Sequence, residues 1–321
     1  MINISNSSPN NTPDSQTLLN QIVIEFMREQ RRKRRWRWIT RILVLLLAVW
    51  IFFQGFGFSE DSKGWKTKPH VGLIDINGEI FDTSDANAEN FTKGLDAAYK
   101  NSGLKALVLR INSPGGSPVQ ADYMYNSLKR YQAMYPGVKV YAVCVDMCAS
   151  AAYYVAAAAD QIYANEVSMV GSIGVLFNGF GFVDAIQKLG VTRRLRTAGA
   201  NKGFLDPFSP VVPEQEQYLQ TMLDEVHQQF IAKVKQGRGD RLQIDNLTFS
   251  GLFWTGMEAK TRGLIDGFAS SGQVARDIIK IDQVVDYTYK ESVFERVSKN
   301  IGTAMADRLP AALGLQPGIK M

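Results

Sequence analysis

An α/β domain built on a parallel sheet is the fold the sequence predicts, and two observations predict it. Short apolar runs at 71–76, 104–111, 138–145, 161–164 and 284–287 read as strands, and stretches with helical spacing lie between them. Strand and helix alternating in this way favour parallel pairing, because parallel neighbours need a crossover between them. The span from 71 to 286 exceeds 200 residues, enough for one sizeable core.

The N-terminal elements come first. Residues 1–12, rich in Asn and Ser, read as disordered, and 18–27 has the pattern of a short amphipathic helix. Residues 28–41 hold eight Lys/Arg and one Glu, with Trp36 and Trp38 as interfacial aromatics. The apolar run 39–58 that follows is predicted as a transmembrane helix, since about 20 such residues cross a bilayer. Basic flanks stay inside, so 1–38 is expected in the cytoplasm and everything after Phe58 outside it. A cleavable signal peptide is the competing reading; the long preceding segment and the lack of a small-residue cleavage site speak for a retained anchor. From residue 42 onward the chain has 28 basic and 28 acidic residues. The net charge of +5 therefore belongs to the membrane flank, and no nucleic-acid partner is expected.

After a linker at 59–69, the domain is expected over 70–290, with an amphipathic helix and tail at 291–321. Strand 104–111 runs into Asn112-Ser113-Pro114-Gly115-Gly116-Ser117. Paired glycines let backbone N–H groups approach a ligand, although Pro-Gly-Gly alone is only a turn signal. Strand 138–145 leads through Met147-Cys148-Ala149-Ser150 into the alanine-rich stretch 149–159, read as a helix that packs closely on the sheet. Ser150 at its start fits a nucleophile beside unpaired N–H groups, and it fits an N-cap equally well. Further on lie Gly171-Ser172-Ile173-Gly174, Lys202 in a Gly-rich stretch, and a helix opened by Pro213 with the apolar stripe Tyr218, Met222, Val226, Phe230 and Val234.

Elimination narrows the chemistry. The only histidines are His70, just before the first strand, and His227, at the edge of that apolar stripe, where it reads as structural; neither suits a Ser-His-Asp triad. No His/Cys cluster has ligand spacing, so neither metal nor cofactor is expected. Cys144 and Cys148 are too far apart along a strand for a disulfide and are expected as buried thiols, with Cys148 a minor alternative nucleophile.

Taken together and in this order, the Ser113-Pro114-Gly115-Gly116 turn, the Ser150 segment, Gly171–Gly174 and Lys202 resemble the signal peptide peptidase A (protease IV) family of membrane-bound serine peptidases. Trp254-Thr255-Gly256-Met257-Glu258-Ala259 and Gly263-Leu264-Ile265-Asp266 extend the resemblance to about 71–267. It implies a ClpP/crotonase-like spiral of ββα units. It also implies Ser150 as nucleophile and Lys202, 52 positions later, as general base. Ser172 would orient the lysine, and the oxyanion hole would be made by Gly116, with Gly115 beside it, and Ala151. Implied substrates are apolar peptides such as released signal peptides, at the outer face of the bacterial inner membrane. The chain has room for one such domain, and the short form of the family implies a homo-oligomeric ring with the dyad shared between protomers.

A lysine serves as a base at neutral pH only when burial disfavours its ammonium form, a setting expected here from Ala200, Phe204 and Leu205. One departure stands out: the family commonly has glycines where this chain has Ala151 and Ala152, which points to a narrower pocket and altered specificity. Two other classes remain. One is a crotonase-like acyl-CoA enzyme, disfavoured by an extracytoplasmic location; the other is a non-catalytic membrane scaffold.

Overall fold

The apolar runs pair into one sheet. In the computed structural model, which describes residues 15–56 and 68–291, β1 (His70–Asn77), β2 (Leu104–Ser113) and β3 (Lys139–Ala149) lie parallel and adjacent, with Leu73 opposite Val108 and Val108 opposite Tyr141. β3 then changes neighbours along its length. Its first half pairs with β4 (Gln161–Ala164) and its last three residues with β5 (Met169–Gly171), both parallel. β6 (Phe253–Thr255) adds antiparallel to β5, β7 (Gly267–Phe268) parallel to β4, and β8 (Val284–Asp286) parallel to β1 at the far edge. The main path is β6-β5-β3-β2-β1-β8. The expected α/β sheet is present; β5, β6 and β7, of two or three residues each, are too short to announce themselves by periodicity.

The crossovers are helical because their starts are capped and one face of each is apolar. α2 (Ala88–Tyr99) is capped by the Asn87 side chain, which accepts from the Asn90 amide at 2.8 Å. α3 (Pro118–Met134) has Ser117 as its cap and a proline at its first position, where the missing N–H costs nothing. Together they bury Phe91, Leu95, Met124, Tyr125 and Leu128 against Ile74, Ile76, Leu107 and Leu109, each side chain worth about 1.5–3 kcal/mol of burial. The opposite sheet face is thinner: Val71, Val108 and Val143 meet Val274 and Ala275 of a π-helical turn, Val274–Ile279. Buried on both faces, β2 carries a near-continuous apolar sequence, as a central parallel strand should.

The short α5 (Val183–Lys188) has no buried residue, and α6 (Pro213–Arg238) is packed at one end only. Phe230, Val234 and Arg238 are buried, whereas Tyr218 and Met222 of the same stripe are 62% and 44% exposed. The buried end is fastened by an ion pair. The Arg238 guanidinium, fully enclosed, donates to both Asp266 oxygens at 2.8 and 2.9 Å and to the Gly263 carbonyl at 2.9 Å; Asp266 also accepts from the Ile162 amide of β4. His70, expected just before the first strand, is instead the first residue of β1 and fully buried, bonded to the Lys68 carbonyl and the Tyr287 hydroxyl, both at 2.8 Å.

Contacts divide the chain into two units, Gly64–Glu291 and a second formed by Met1–Lys63 with Ser292–Met321. In the latter, residues 15–56 form one helix, α1 (Ser15–Phe56), through the basic segment and into the apolar one. Among the described residues no helix is long and apolar enough to cross a membrane. The span expected at 39–58 runs beyond Phe56, and its side chains from residue 51 on lie outside the described set. So do the expected disordered start at 1–12, nearly all of the linker and the tail after Glu291.

Burial pushes the Asp266 carboxyl up, but hydrogen bonds and charge from Arg238, the Ile162 amide and Arg241 outweigh it and hold the carboxyl below its ordinary value. A depressed carboxyl stabilises the fold above its unfolded pKa of about 3.9 and loses that contribution as pH falls through the folded value. Asp266→Asn should therefore cost about 3–5 kcal/mol at pH 7, by stranding a buried guanidinium. Denaturant unfolding across pH should show the gap to the natural chain narrowing in acid, below about pH 4.

Candidate active site

Ser150 sits at the junction of β3 and α4 (Ala151–Ala156) with φ 53° and ψ −125°, a conformation costing a non-glycine residue about 1–3 kcal/mol. It makes no side-chain cap bond, and its backbone is not the extended one a cap requires, so the N-cap reading fails. The junction is held by backbone: the Ser150 amide donates to the Gly171 carbonyl at 2.8 Å, and its carbonyl accepts from the Tyr154 amide at 3.0 Å. Behind it all six residues of α4 are buried, and the small side chains of Ala151, Ala152 and Ala156 let the helix lie close to the sheet. The expected helix over 149–159 is shorter, since β3 continues through Ala149.

The glycine turn closes over this junction. A Cβ on Gly115 (φ 107°) would stand 2.7 Å from the Ser150 Cβ, and one on Gly116 (φ 149°) 2.3 Å from the Ile80 carbonyl oxygen. The approach is possible only because both side chains are absent. The Gly115 amide is engaged with Ser113 Oγ at 3.1 Å, while Gly116 faces the open space beside Ser150. That space is a cleft of 990 Å³ in which Gly116, Ser150, Ala151 and Ser172 share the lining with Tyr154 and Phe230. The Tyr154 hydroxyl donates to Asp122 at 2.8 Å, and its ring contacts Phe230 with centroids 5.0 Å apart, so the cleft meets mainly apolar ring surface here.

Ser172 also has a positive φ, 51°, with its amide bonded to the Leu252 carbonyl at 2.8 Å. His227, expected as a structural residue at the edge of the apolar stripe, lines this cleft and donates from Nε2 to the Ile173 carbonyl at 3.0 Å. The signal is present in spacing: His227 lies four residues after Leu223 and three before Phe230, both of which line the cleft, on the same helix face.

Lys202 is not part of this cleft within one chain. It lies in a turn whose amide donates to the Gly199 carbonyl, its side chain is exposed, and the apolar enclosure expected from Ala200, Phe204 and Leu205 does not form. The segment around it carries much uncovered apolar surface, with Leu176 81%, Phe180 75% and Val211 68% exposed. Cys148 offers no alternative nucleophile: it is free and buried, and burial, reinforced by a hydrogen bond and charge from Cys144, pushes its thiol well above the ordinary range. Among the described residues no group of His, Cys, Asp and Glu could hold a metal ion.

A parallel sheet with a serine on a strained strand-to-helix turn, under a glycine turn, defines a ClpP-like α/β protein, and the Clp protease family model matches residues 72–170. The model of peptidase family S49 matches residues 133–284. A protein of Methanocaldococcus jannaschii named as a protease is 30% identical over 70% of this chain and 70% of its own length. One of Enterococcus faecium named as a signal peptide peptidase SppA is 26% identical over 80% and 78%. The chain belongs to peptidase family S49, that of signal peptide peptidase A. A Na(+)/H(+) antiporter NhaA of Brucella melitensis is 43% identical over 54% of this chain, which spans only 23% of that relative's length.

Gly115→Ala should lower stability by about 1–3 kcal/mol, because the new methyl must displace the Ser150 turn. Thermal unfolding checks this. The same change at Gly137, whose added Cβ would meet nothing within 4 Å, should be nearly neutral.

Proposed function

We propose that this chain is a serine peptidase in which Ser150 attacks the peptide carbonyl and Lys202 of a neighbouring copy is the general base. The observation that carries the reading is the strained Ser150 turn, opening onto one cleft with Gly116, Ala151 and Ser172. Ser150 Oγ bonds to the carbonyl carbon as its proton passes to the lysine amine. The oxyanion accepts from the amides of Gly116 and Ala151, with Gly115 serving close approach rather than donation. Collapse breaks the C–N bond, the lysine returns its proton to the leaving amine, and water then hydrolyses the acyl-enzyme by the same relay. Ser172 orients the lysine.

The shared dyad is supported by the exposure of Lys202, by its absence from the cleft lining, and by the apolar surface around it, which a second copy would cover. On this reading the sheet is the ClpP/crotonase spiral, and residues 39–58 anchor it as a single-pass helix in the bacterial inner membrane. The N-terminus is then cytoplasmic and the peptidase domain extracytoplasmic. The apolar ring surface of Tyr154 and Phe230 and the Ala151 methyl suit apolar peptides, including released signal peptides.

Purified full-length protein is to be assayed with a quenched apolar peptide and with acyl-CoA. Ser150→Ala and Lys202→Ala should each reduce peptide cleavage by at least about a thousandfold, and Ser172→Ala by about tenfold. Turnover of acyl-CoA instead would favour the crotonase-like reading, and no turnover of either a scaffold. Equal co-assembly of Ser150→Ala and Lys202→Ala subunits should restore roughly one site in four, by random mixing in a ring. Mixed rings as inactive as either variant would place both residues of the dyad in one protomer. A reporter fused after Phe58 should be active only when exported; cytoplasmic activity would reverse the topology.

A further inference from the structure

We infer that His227 is a positioning residue for the reaction, acting through the backbone of the Ser172 turn; the inference rests on the serine and lysine roles proposed above. Ser172 cannot hold its place by intrinsic preference, because φ 51° is disfavoured for any residue with a side chain. Three bonds fix the turn. The Ser172 amide donates to the Leu252 carbonyl at 2.8 Å, the Gly174 amide to the Ser172 carbonyl at 3.0 Å, and His227 Nε2 to the Ile173 carbonyl at 3.0 Å. Only the last comes from a side chain, and it reaches the turn from α6.

The placement of α6 makes this bond a firm one. His227 is one turn before the point where α6 becomes buried at Phe230, and eleven residues before the Arg238–Asp266 pair that fixes the helix end. The imidazole thus spans from a clamped helix to a strained turn, along the wall of the cleft that Ser150 and Ser172 share. The bond also selects a tautomer: donation from Nε2 leaves Nδ1 without the proton in the neutral ring. Losing it frees the Ile173 carbonyl and loosens the segment that aims the Ser172 hydroxyl. Displacement of that kind acts on proton transfer, and hence on kcat, more than on peptide binding.

The test compares His227→Leu with His227→Gln, whose side-chain amide can donate from near the Nε2 position, in full-length protein of verified oligomeric state. We expect kcat for the apolar peptide to fall about 3- to 10-fold in His227→Leu, no more than in Ser172→Ala, with KM within about twofold, and to recover most of its value in His227→Gln. Unchanged kcat in His227→Leu, or equal loss in both variants, would overturn the inference. Should His227→Leu fail to fold, nitrogen NMR of the histidine-labelled natural chain decides. With only two histidines to assign, a His227 ring carrying its proton at Nε2 is expected, and one with Nε2 bare and Nδ1 protonated would overturn the inference. The Ser150→Ala control separates the levels: activity surviving there defeats the proposed nucleophile, whereas normal His227→Leu kinetics beside a dead Ser150→Ala defeats only the role given to His227.

Discussion

The rest of the site depends on one backbone constraint, the positive φ at Ser150 where β3 turns into α4. A side-chain-bearing residue stays in that conformation only when its surroundings over-determine it. Here the Ser150 amide is bonded to Gly171, α4 is buried along its whole length, and the only turn that can pass beside the Ser150 Cβ is one with glycine at 115. The apolar core thereby supports a locally unfavourable geometry, and the hydroxyl is left facing a cleft instead of capping a helix.

The same constraint recurs at Ser172, a second strained serine lining the cleft. Its turn follows β5, which pairs with the last three residues of β3, so both strained residues hang from adjacent strand ends. The change of partner along β3 is what makes this possible. Early in the strand β4 is the neighbour; beyond it β5 takes over and delivers Gly171, Ser172 and Ile173 to the site. α6 closes the arrangement from the other side, fixed at its buried end by Arg238 and Asp266 and uncovered at its start. A helix clamped at one end and apolar but exposed at the other is suited to receive a second surface.

Much of this was legible in the chain. The strands at 104–111, 138–145 and 161–164 are visible because central parallel strands are apolar nearly throughout. The joint order of Pro114-Gly115-Gly116, Ser150, Gly171-Ser172 and Lys202 was enough to name a family, now supported by the similarity to other S49 proteins. Less legible were the two- and three-residue strands, whose pairing depends on neighbours remote in sequence, and His70, whose burial follows from Tyr287 at the other edge of the sheet. The Pro213 helix shows the limit of periodicity: its stripe is regular, but only half of it meets a core.

By itself the sequence determined the α/β class, the serine, its glycine turn and the charge division between basic flank and neutral domain, because each is written in local composition and spacing. Tertiary structure alone decided that Ser150 is strained and not a cap, that Gly115 serves approach while Gly116 faces the cleft, and that His227 grips the Ser172 turn. It also decided that Lys202 stands exposed, away from the cleft its own chain forms. These depend on which backbone segments the sheet brings within bonding distance, and such distances are set by the packing of residues far apart in the chain.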